Sequence, residues 1–246
     1  AVTLVLCGCS THEEKVFRRV PSDYSGIKFT NRLKESVEFN IFNYMYFYNG
    51  AGVGVGDFNA DGLIDIYFSS NQESNKLYLN QGDFKFSDVT EVAAVEGFDG
   101  WATGVAVADV NADGRLDIYV GYLGEYLIYN GRNQLFINKG NDENGVPLFE
   151  DEALDYGLDL VGFSTHAAFF DYDRDGDLDM FQLNHSLHQN GTFGRSGLRH
   201  QSHPLAGDRL LRNDNGHFID VTTSSGIYNS AIGYGVGIGI SDVNLD

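Results

Sequence analysis

The sequence predicts an all-β protein, a β-propeller built of four-stranded blades. A nine-residue acidic phrase occurs in full at residues 57–65, 109–117 and 171–179 and begins again at residue 242, so successive copies start 52, 62 and 71 residues apart. Each full copy lies among four short segments with the composition of β-strands, and four strands in a repeat of this length are typical of a propeller blade. The composition agrees, because 30 glycines, 3 prolines and 13% aromatic residues suit short strands and tight turns. A parallel β-helix of calcium-binding repeats would have a far shorter period.

The strands of the first repeat can be assigned one after another. Residues 51–58 alternate glycine with valine, the period-two pattern of a strand whose glycine face admits a neighbouring backbone. The segments 63–70, 75–82 and 84–90 follow as three more strands. The same order returns at 101–110, 116–123, 133–140 and 148–158, then at 163–172, 178–185, 208–216 and 217–227, and a fourth repeat opens at 233–243.

Aromatic residues are concentrated before the first repeat and at the start of the second. Residues 41–50 and Trp101 are interpreted as packing, which is the commoner role of aromatic side chains next to strands. Residues 17–27 share with 86–95 and 218–227 a Phe, a Val three positions later, and a turn of small residues. We expect the first of these segments to be a strand that closes a ring by pairing with the last blade.

The acidic phrase has the composition of a calcium loop. It reads DFNADGLID, DVNADGRLD and DYDRDGDLD, with oxygen-bearing side chains at positions 1, 3, 5 and 9 and glycine at position 6. Calcium takes roughly six to eight oxygen ligands, often including a backbone carbonyl at position 7, and the glycine permits a sharp turn. An EF-hand is excluded, because position 12 is Phe68, Val120 or Gln182 and the flanks are strands. Magnesium is a poorer fit, since it prefers a small octahedral shell with several waters.

We therefore expect one Ca²⁺ in each of the three complete loops, three in all, whereas the fourth copy is truncated and too short to bind an ion as given. The simpler alternative is that Asp, Asn and Gly only form turns, but three copies with the same five positions filled argue against it. The predicted ligands, with position 7 contributing its carbonyl, are Asp57, Asn59, Asp61, Leu63 and Asp65; Asp109, Asn111, Asp113, Arg115 and Asp117; Asp171, Asp173, Asp175, Asp177 and Asp179; and Asp242, Asn244 and Asp246.

The N-terminal residues indicate export. Residues 1–9 combine an apolar run with small residues, as at the end of a signal peptide, and LCGC resembles a bacterial lipobox whose last residue, Cys9, would carry lipid. Residues 10–16 are polar and would form a tether before the propeller at 17–246. We expect a bacterial outer-membrane or cell-surface lipoprotein, otherwise a secreted protein, whose membrane contact is made only through this anchor. Both ends of the chain are interpreted as truncated.

The charge balance restricts the partners. The formal net charge is −19, and the three complete loops hold 11 of the 35 acidic residues, so three bound calcium ions would reduce it to about −13. Such a negative surface argues against a nucleic-acid partner, because phosphate binding requires basic patches. We expect a protein or glycan ligand at the cell surface.

The stretch between Leu183 and Asp208 is the least repetitive part of the chain and our first candidate for a ligand loop. Long loops on a rigid scaffold often carry recognition, although a polar surface loop without a ligand is the simpler interpretation. His166, in the strand before the third acidic phrase, is interpreted as a satisfied strand histidine rather than one that faces the propeller axis. The candidate residues of the loop are His185, His188, Arg195, Arg199, His200 and His203.

The repeats resemble a known family. The segments GVGVGDFNADGLIDIYF and GVAVADVNADGRLDIYV are similar to FG-GAP (VCBS) repeats, the blade unit of integrin α-subunit propellers. The phrase NKLYLNQGDFKFSDVTEVAAV is similar to secreted proteins related to cartilage acidic protein, a group with bacterial lipoproteins among its members. The resemblance implies calcium at the ligands named above and a seven-bladed ring, of which this chain would hold three blades and the start of a fourth.

The resemblance is specific for fold and metal and says little about activity. The function we expect is a calcium-binding, cell-surface or secreted propeller that acts as a protein- or glycan-binding adhesion module. The alternative is a polysaccharide lyase or hydrolase built on a propeller. No G-x-S-x-G, H-E-x-x-H, phosphate-loop or C-x-x-C motif occurs in the sequence, so no catalytic residue is assigned and a binding role is favoured over an enzyme.

Overall fold

A computed structural model describes residues 17–186 and 196–241. The predicted all-β fold is confirmed: these residues form three four-stranded antiparallel sheets, each a propeller blade in which strands adjacent in sequence are adjacent in space. The predictions for residues 1–16, including Cys9, and for His188, Arg195, Asp242, Asn244 and Asp246 lie outside the described residues. Blade 1 comprises β1 Val53–Gly56, β2 Asp65–Phe68, β3 Lys76–Asn80 and β4 Phe86–Asp88; blade 2, β5 Ala102–Ala108, β6 Asp117–Tyr122, β7 Gln134–Asn141 and β8 Pro147–Asp151; blade 3, β9 Ser164–Phe170, β10 Asp179–Asn184, β11 Arg209–Asn213 and β12 Phe218–Asp220.

Each predicted fourth strand is shorter than expected, because a turn begins soon after it. In blade 1 the carboxylate of Asp88 accepts hydrogen bonds from the backbone N–H (3.1 Å) and the hydroxyl of Thr90, which favours a turn over a continued strand. The helical turns α2 Thr90–Ala93 and α3 Ala153–Tyr156 follow β4 and β8. The prediction of a single strand over 148–158 is therefore wrong in its second half.

The expected ring-closing strand at 17–27 is not present in the structure. Residues 17–21 lie in no strand, and the helical turn α1 Ser22–Ser25 follows them. The chain then packs on blade 1: the backbone N–H of Lys28 donates to the hydroxyl of Tyr78 (3.3 Å), and the ring of Phe29 stacks on Phe68 with 4.7 Å between centroids. This segment therefore keeps the turn of the later copies and covers part of the first blade.

Glycines allow the first strands of neighbouring blades to pack at backbone distance. A Cβ atom at Gly52 would lie 2.5 Å from the backbone nitrogen of Val105, and one at Gly54 would lie 2.8 Å from its side chain. A Cβ at Gly104 would likewise collide with the backbone of Thr165. The first strands of the three blades therefore lie side by side and run in the same direction.

Three clusters of buried side chains hold the blades together. One lies between blades 1 and 2 around Tyr67 and Tyr122, and a second lies between blades 2 and 3 around Tyr119 and Met180. The third gathers Phe39, Tyr44, Tyr46 and Phe47 around Trp101 and Phe163, so residues 39–47 form a cap over blades 2 and 3. The prediction that Trp101 and the aromatic stretch serve in packing is confirmed for these residues.

Because the strands in each blade alternate in direction, the connections between strands lie on two opposite faces of the molecule. The three acidic phrases all join the first strand of a blade to the second, so they lie on one face, the loop face. The connections from second to third strand, from fourth strand to the next blade, and the aromatic cap lie at the opposite face.

The expected opening strand of a fourth blade is reduced to one bridge. Within residues 233–241, Tyr234 pairs with His185 in an isolated antiparallel bridge, and the segment around it is not in a strand. None of the helices in the described part of the chain has the length and apolar character needed to cross a membrane.

Candidate metal centres

The three acidic phrases, here called loops 1, 2 and 3, are each closed by hydrogen bonds from two backbone N–H groups to the carboxylate of their first aspartate. In loop 1 the two carboxylate oxygens of Asp57 accept from the backbone N–H groups of Asp61 (3.0 Å) and Gly62 (2.8 Å). In loop 2 the oxygens of Asp109 accept from Asp113 and Gly114 at the same distances. The first aspartate thus closes each loop on itself, and in loop 3 Asp171 does so with Arg174 (2.6 Å) and Gly176 (3.2 Å).

Two left-handed residues give each loop its sharp curvature. The glycine at position 6 has a φ of 87° in loop 1, 86° in loop 2 and 101° in loop 3, as its selection at that position predicts. Position 4 is also left-handed, although it is occupied by Ala60, Ala112 and Arg174. Holding a non-glycine residue at positive φ costs about 1 kcal/mol or more, so the surrounding hydrogen bonds fix this conformation.

The aspartate at position 9 connects each loop to the third strand of its blade. Asp65 is fully buried, and its two oxygens accept from the backbone N–H groups of Phe58 (2.9 Å) and Asn80 (2.8 Å). Asp117 repeats this with Val110 and Asn138, both at 2.9 Å. Asp179 repeats it with Tyr172 and Asn213, both at 2.8 Å. This structural role accompanies the predicted role as a metal ligand.

Burial makes the position-9 carboxylates unfavourable as anions unless a cation is near. It raises the pKa of Asp65 and that of Asp117 to about 6, against the lowering effect of their two backbone hydrogen bonds, and the other loop aspartates add to the rise. The pKa of Asp179 is raised for the same reasons. A divalent cation in each loop would favour the charged form.

Loop 3 fits a metal ion best among the described residues. Carboxylate oxygens of Asp171, Asp173 and Asp179 lie within 4.8 Å of one another. Asp177 has a buried oxygen with no hydrogen-bond partner, and burial together with the charges of Asp175 and Asp179 raises the pKa of Asp177 to about 6. The converging carboxylates of this group are what a calcium ion would satisfy, whereas the predicted ligand residues Asp175 and Asp177 lie outside the group. Loops 1 and 2 place an asparagine, a neutral oxygen ligand, at position 3.

Position 7 differs among the loops in a way that changes their charge. Leu63 is neutral, whereas Arg115 directs its guanidinium to the carboxylate of Asp113 and to the carbonyl of Asn138 (2.9 Å). Asp177 adds a negative charge in loop 3. The backbone carbonyl of this position is the predicted ligand in every loop, so its side chain is free to vary.

Comparison with known proteins identifies a repeat family over the region of loops 1 and 2. Residues 57–120 match the model of the FG-GAP-like repeat, and residues 101–142 match that of the FG-GAP repeat. Residues 57–142 therefore carry FG-GAP repeats. Over 133 residues, or 54% of its length, it is 31% identical to cartilage acidic protein 1 of Xenopus tropicalis, and it is 31% and 30% identical to the proteins of that name from Mus musculus and Homo sapiens. The aligned part covers 19% of each of these relatives.

A repeated asparagine, which the sequence analysis did not identify, supports each of loops 1, 2 and 3. The side chains of Asn80, Asn138 and Asn213 donate to the carbonyl at position 8 of their own loop, at 2.9, 3.3 and 3.2 Å. Their oxygens accept from the backbone N–H of a glycine two or three residues later. An asparagine followed by this glycine at the end of each third strand was the available signal.

Loop 1 is also held by the next FG-GAP blade. The side chain of Asn138 donates to the carbonyl of Phe58 (2.9 Å), and that of Asn141 donates to the carbonyl of Asn59 (2.8 Å). In return the side chain of Asn59 donates to the carbonyl of Gly145 (3.2 Å). The hairpin between β7 and β8 therefore contacts loop 1, so the first candidate metal centre lies against the interface between blades 1 and 2.

The candidate ligand residues of the stretch between Leu183 and Asp208, here called the insertion, lie in different environments where the structure describes them. His185 is buried in the aromatic cap, where one ring nitrogen lies 3.3 Å from the hydroxyl of Tyr44 and the other 2.9 Å from the carbonyl of Ser186. Burial lowers the pKa of His185 to about 4, so it is a neutral core residue. Arg199 and His200 are exposed on the short 3₁₀ helix Ser196–His200. His203, at the next turn, accepts from the backbone N–H of Leu205 (3.2 Å).

Proposed function

We propose that these FG-GAP repeats form a calcium-stabilised binding module that is exported from the cell and recognises a protein or glycan. The observation that carries the proposal is the threefold repetition of one loop geometry on one face, with converging carboxylates in loop 3. The family match supports a propeller that acts in adhesion or binding.

Each loop would hold one Ca²⁺ through its side chains at positions 1, 3, 5 and 9 and its carbonyl at position 7. The ion would neutralise carboxylates that otherwise repel one another, so the folded state would be stabilised by linkage to calcium. At a free calcium concentration 100 times the dissociation constant, one site adds about 2.7 kcal/mol to the free energy of unfolding.

The separation of the two faces supports a binding role. The acidic loops occupy one face, where loop 1 contacts the neighbouring blade, whereas the longer connections lie at the other face. Rigid scaffolds commonly carry recognition on such connections. Arg199 and His200 are exposed there and provide donors for an acidic or sugar ligand.

Export would bring the module to an extracellular calcium supply. We propose a bacterial lipoprotein anchored through Cys9, with a secreted form as the alternative, because the N-terminal residues have the composition of a lipobox. Mass spectrometry of the protein isolated from its membrane fraction tests this directly, since a diacylglyceryl group on Cys9 supports the anchor and an unmodified mature terminus at another residue refutes it.

Calorimetry with titrated calcium tests the metal sites. We expect three ions per chain and a melting temperature that falls with EDTA. One position-5 substitution for each loop, Asp61→Asn, Asp113→Asn or Asp175→Asn, should reduce the stoichiometry by one. Asp155→Asn, an exposed aspartate outside the loops, is the matched control and should bind three ions. The absence of calcium binding, together with a melting temperature unaffected by EDTA, would show that the aspartates only form turns.

Binding of partners is tested separately on the calcium-loaded chain. Immobilised glycans and extracellular-matrix proteins are screened with the wild-type chain and with the double variant Arg199→Ala, His200→Ala. We expect the double variant to lose the ligand that the wild type retains. Unchanged binding by this variant would remove the insertion from the recognition surface.

A further inference from the structure

Two turns on the face opposite the acidic loops expose large apolar side chains. Val37 and Phe42, in the turn where the aromatic cap begins, are 89% and 88% exposed. Leu127 and Ile128, at the tip of the connection between β6 and β7, are 55% and 54% exposed. These four residues are here called the tip surface. Exposed apolar side chains are usually scattered singly, so a group of them on adjoining turns points to an interaction site.

Direct contacts hold these two turns side by side. The hydroxyl of Tyr126 donates to the carbonyl of Asn43 (2.6 Å), the residue that follows the exposed phenylalanine. The ring of Tyr129 meets that of Phe39 edge-on, with 4.8 Å between centroids. Tyr126 and Tyr129 also pair with each other in an antiparallel bridge, so the two apolar residues between them form the tip of the turn. The tip surface therefore combines both turns in one arrangement.

The tip surface borders a cavity of about 690 Å³ into which a partner's side chain can enter. Ile128 lines this cavity together with Leu33, Phe39 and Tyr129. Phe39 is only 1% exposed, so the apolar contacts offered to a partner come from Ile128 and from the half-buried Leu33 and Tyr129. Interfaces commonly seat an apolar anchor in such a pocket, surrounded by contacts that exclude water.

Acidic side chains predominate around the tip surface. Five exposed carboxylates lie beside its two turns or line its cavity: Glu35, Glu38, Glu73, Asp99 and Glu125. None of them forms an ion pair with a described residue. Two basic residues, Arg32 and Lys34, also line the cavity, so negative charges outnumber positive ones there. The charges that complement such a surface are those of lysine and arginine.

We propose that the tip surface binds a segment of a partner protein in which an apolar side chain is flanked by lysine or arginine. The apolar side chain contacts Phe42, Leu127 and Ile128, and the basic flanks meet the surrounding carboxylates. A second copy of this chain and an anionic membrane surface are both repelled, because the net charge is −19. The inference rests on the proposed function only in taking the chain to be a binding module, and it assigns a partner class to a surface other than the insertion.

Selection from a displayed library of random linear peptides tests the partner class on the calcium-loaded full chain. We expect the wild type to enrich peptides with an aliphatic or aromatic residue between basic ones, and their affinity in isothermal titration to fall with added salt. Phe42→Ser should bind the selected peptides at least about 10-fold more weakly. No enrichment, enrichment of acidic flanks, or unchanged affinity of Phe42→Ser overturns the proposal. So does a marked fall in the melting temperature of this variant, because another part of the chain would then cover the surface.

Two glycine variants separate a partner contact from a structural role. Leu127, with a φ of 53°, and Phe84, with a φ of 57°, are both exposed apolar residues in a backbone conformation that favours glycine. Phe84 lies in the turn between β3 and β4 on the loop face, so Phe84→Gly is the matched control. Both variants should keep a melting temperature close to that of the wild type, but only Leu127→Gly should weaken peptide binding, by about 5-fold or more. Equal affinities of the two variants would refute the role of Leu127.

Sedimentation with lipid vesicles tests a membrane as the occupant instead. The non-lipidated chain is mixed with vesicles of phosphatidylcholine, with and without phosphatidylserine, and we expect it to stay in the supernatant. Sedimentation that is lost in Phe42→Ser would make the tip surface a membrane contact and overturn the proposal. The two proposals fail separately, since calcium stabilisation without peptide binding overturns only this one, and peptide binding without calcium stabilisation overturns only the metal sites.

Discussion

Substitution of Asn138 by alanine tests whether the second blade stabilises the first candidate metal loop. Asn138 is fully buried, and its side chain makes three hydrogen bonds: to the carbonyl of Phe58 in blade 1, to the carbonyl of Leu116, and from the backbone N–H of Gly140. Each bond contributes about 0.5–1.5 kcal/mol, and alanine leaves buried partners unsatisfied. We expect Asn138→Ala to lower the free energy of unfolding by about 2–4 kcal/mol.

The matched control is Asn80→Ala at the same position of blade 1. Asn80 makes only the two bonds within its own blade, to the carbonyl of Ile64 and from the N–H of Gly82, and it is only half-buried. Water can replace those bonds, so we expect a loss of about 1 kcal/mol. Both variants retain the backbone N–H that donates to the position-9 aspartate.

Chemical and thermal unfolding in saturating calcium measure the difference. For a chain of this length 1 kcal/mol corresponds to about 2–4 °C, so Asn138→Ala should lower the melting temperature by about 5–15 °C and Asn80→Ala by a few degrees. Equal losses in the two variants would refute the contribution of the contact between blades. A loss below about 0.5 kcal/mol for Asn138→Ala would refute the hydrogen-bond reasoning as a whole.

Two further predictions concern charge. Calcium affinity should decrease from loop 3 to loop 1 to loop 2, because these nine-residue loops carry net charges of −4, −3 and −2. Isothermal titration should show that Arg115→Leu strengthens calcium binding at the weakest site, loop 2. An unchanged affinity of loop 2 in this variant would contradict the order. The second concerns His185, whose pKa is lowered to about 4 by burial, so the folded state prefers the neutral ring and loses stability as pH falls below the unfolded value of about 6.5. Urea unfolding should show the wild type losing about 2 kcal/mol more than His185→Gln between pH 7 and pH 5, and parallel losses would contradict the assignment.

The parts of the fold that depend on local pattern could be predicted from the sequence. The glycine–valine alternation in 51–58 and the spacing of the acidic phrases predicted four strands per repeat, and the structure has them. Such patterns can be read locally, because the alternation of side chains along a strand and the residue preferences of turns involve only a few neighbouring residues. Positive φ at position 6 followed from glycine. Positive φ at Ala60, Ala112 and Arg174 did not follow, because the hydrogen bonds of the closed loop impose it against their intrinsic preference.

The parts that depend on distant contacts could not be predicted. His185 was a candidate ligand residue, but the aromatic cap, about 140 residues earlier in the chain, buries it against Tyr44 and Tyr46. Residues 17–27 have the pattern of later fourth strands, yet they pack on blade 1 through Phe29 and Lys28. The tip surface combines two turns linked by a hydrogen bond between residues 83 apart in the chain, and only the assembled blades bring them together.

The glycines between the first strands have a consequence for how such a protein can grow. Gly52 and Gly104 bring backbones together at the inner end of each blade, whereas Tyr67, Tyr119 and Tyr122 separate the sheets farther out. Blades 1 and 2 therefore each narrow toward this edge through a glycine of their own, whereas blade 3 has His166 at the corresponding position. Duplicating either of the first two repeats would add another blade with the same narrow edge without redesigning its neighbours, whereas an alanine at either glycine would force the narrow edges apart. The angle between neighbouring blades thus depends on the size of the residue that each repeat carries at this one position.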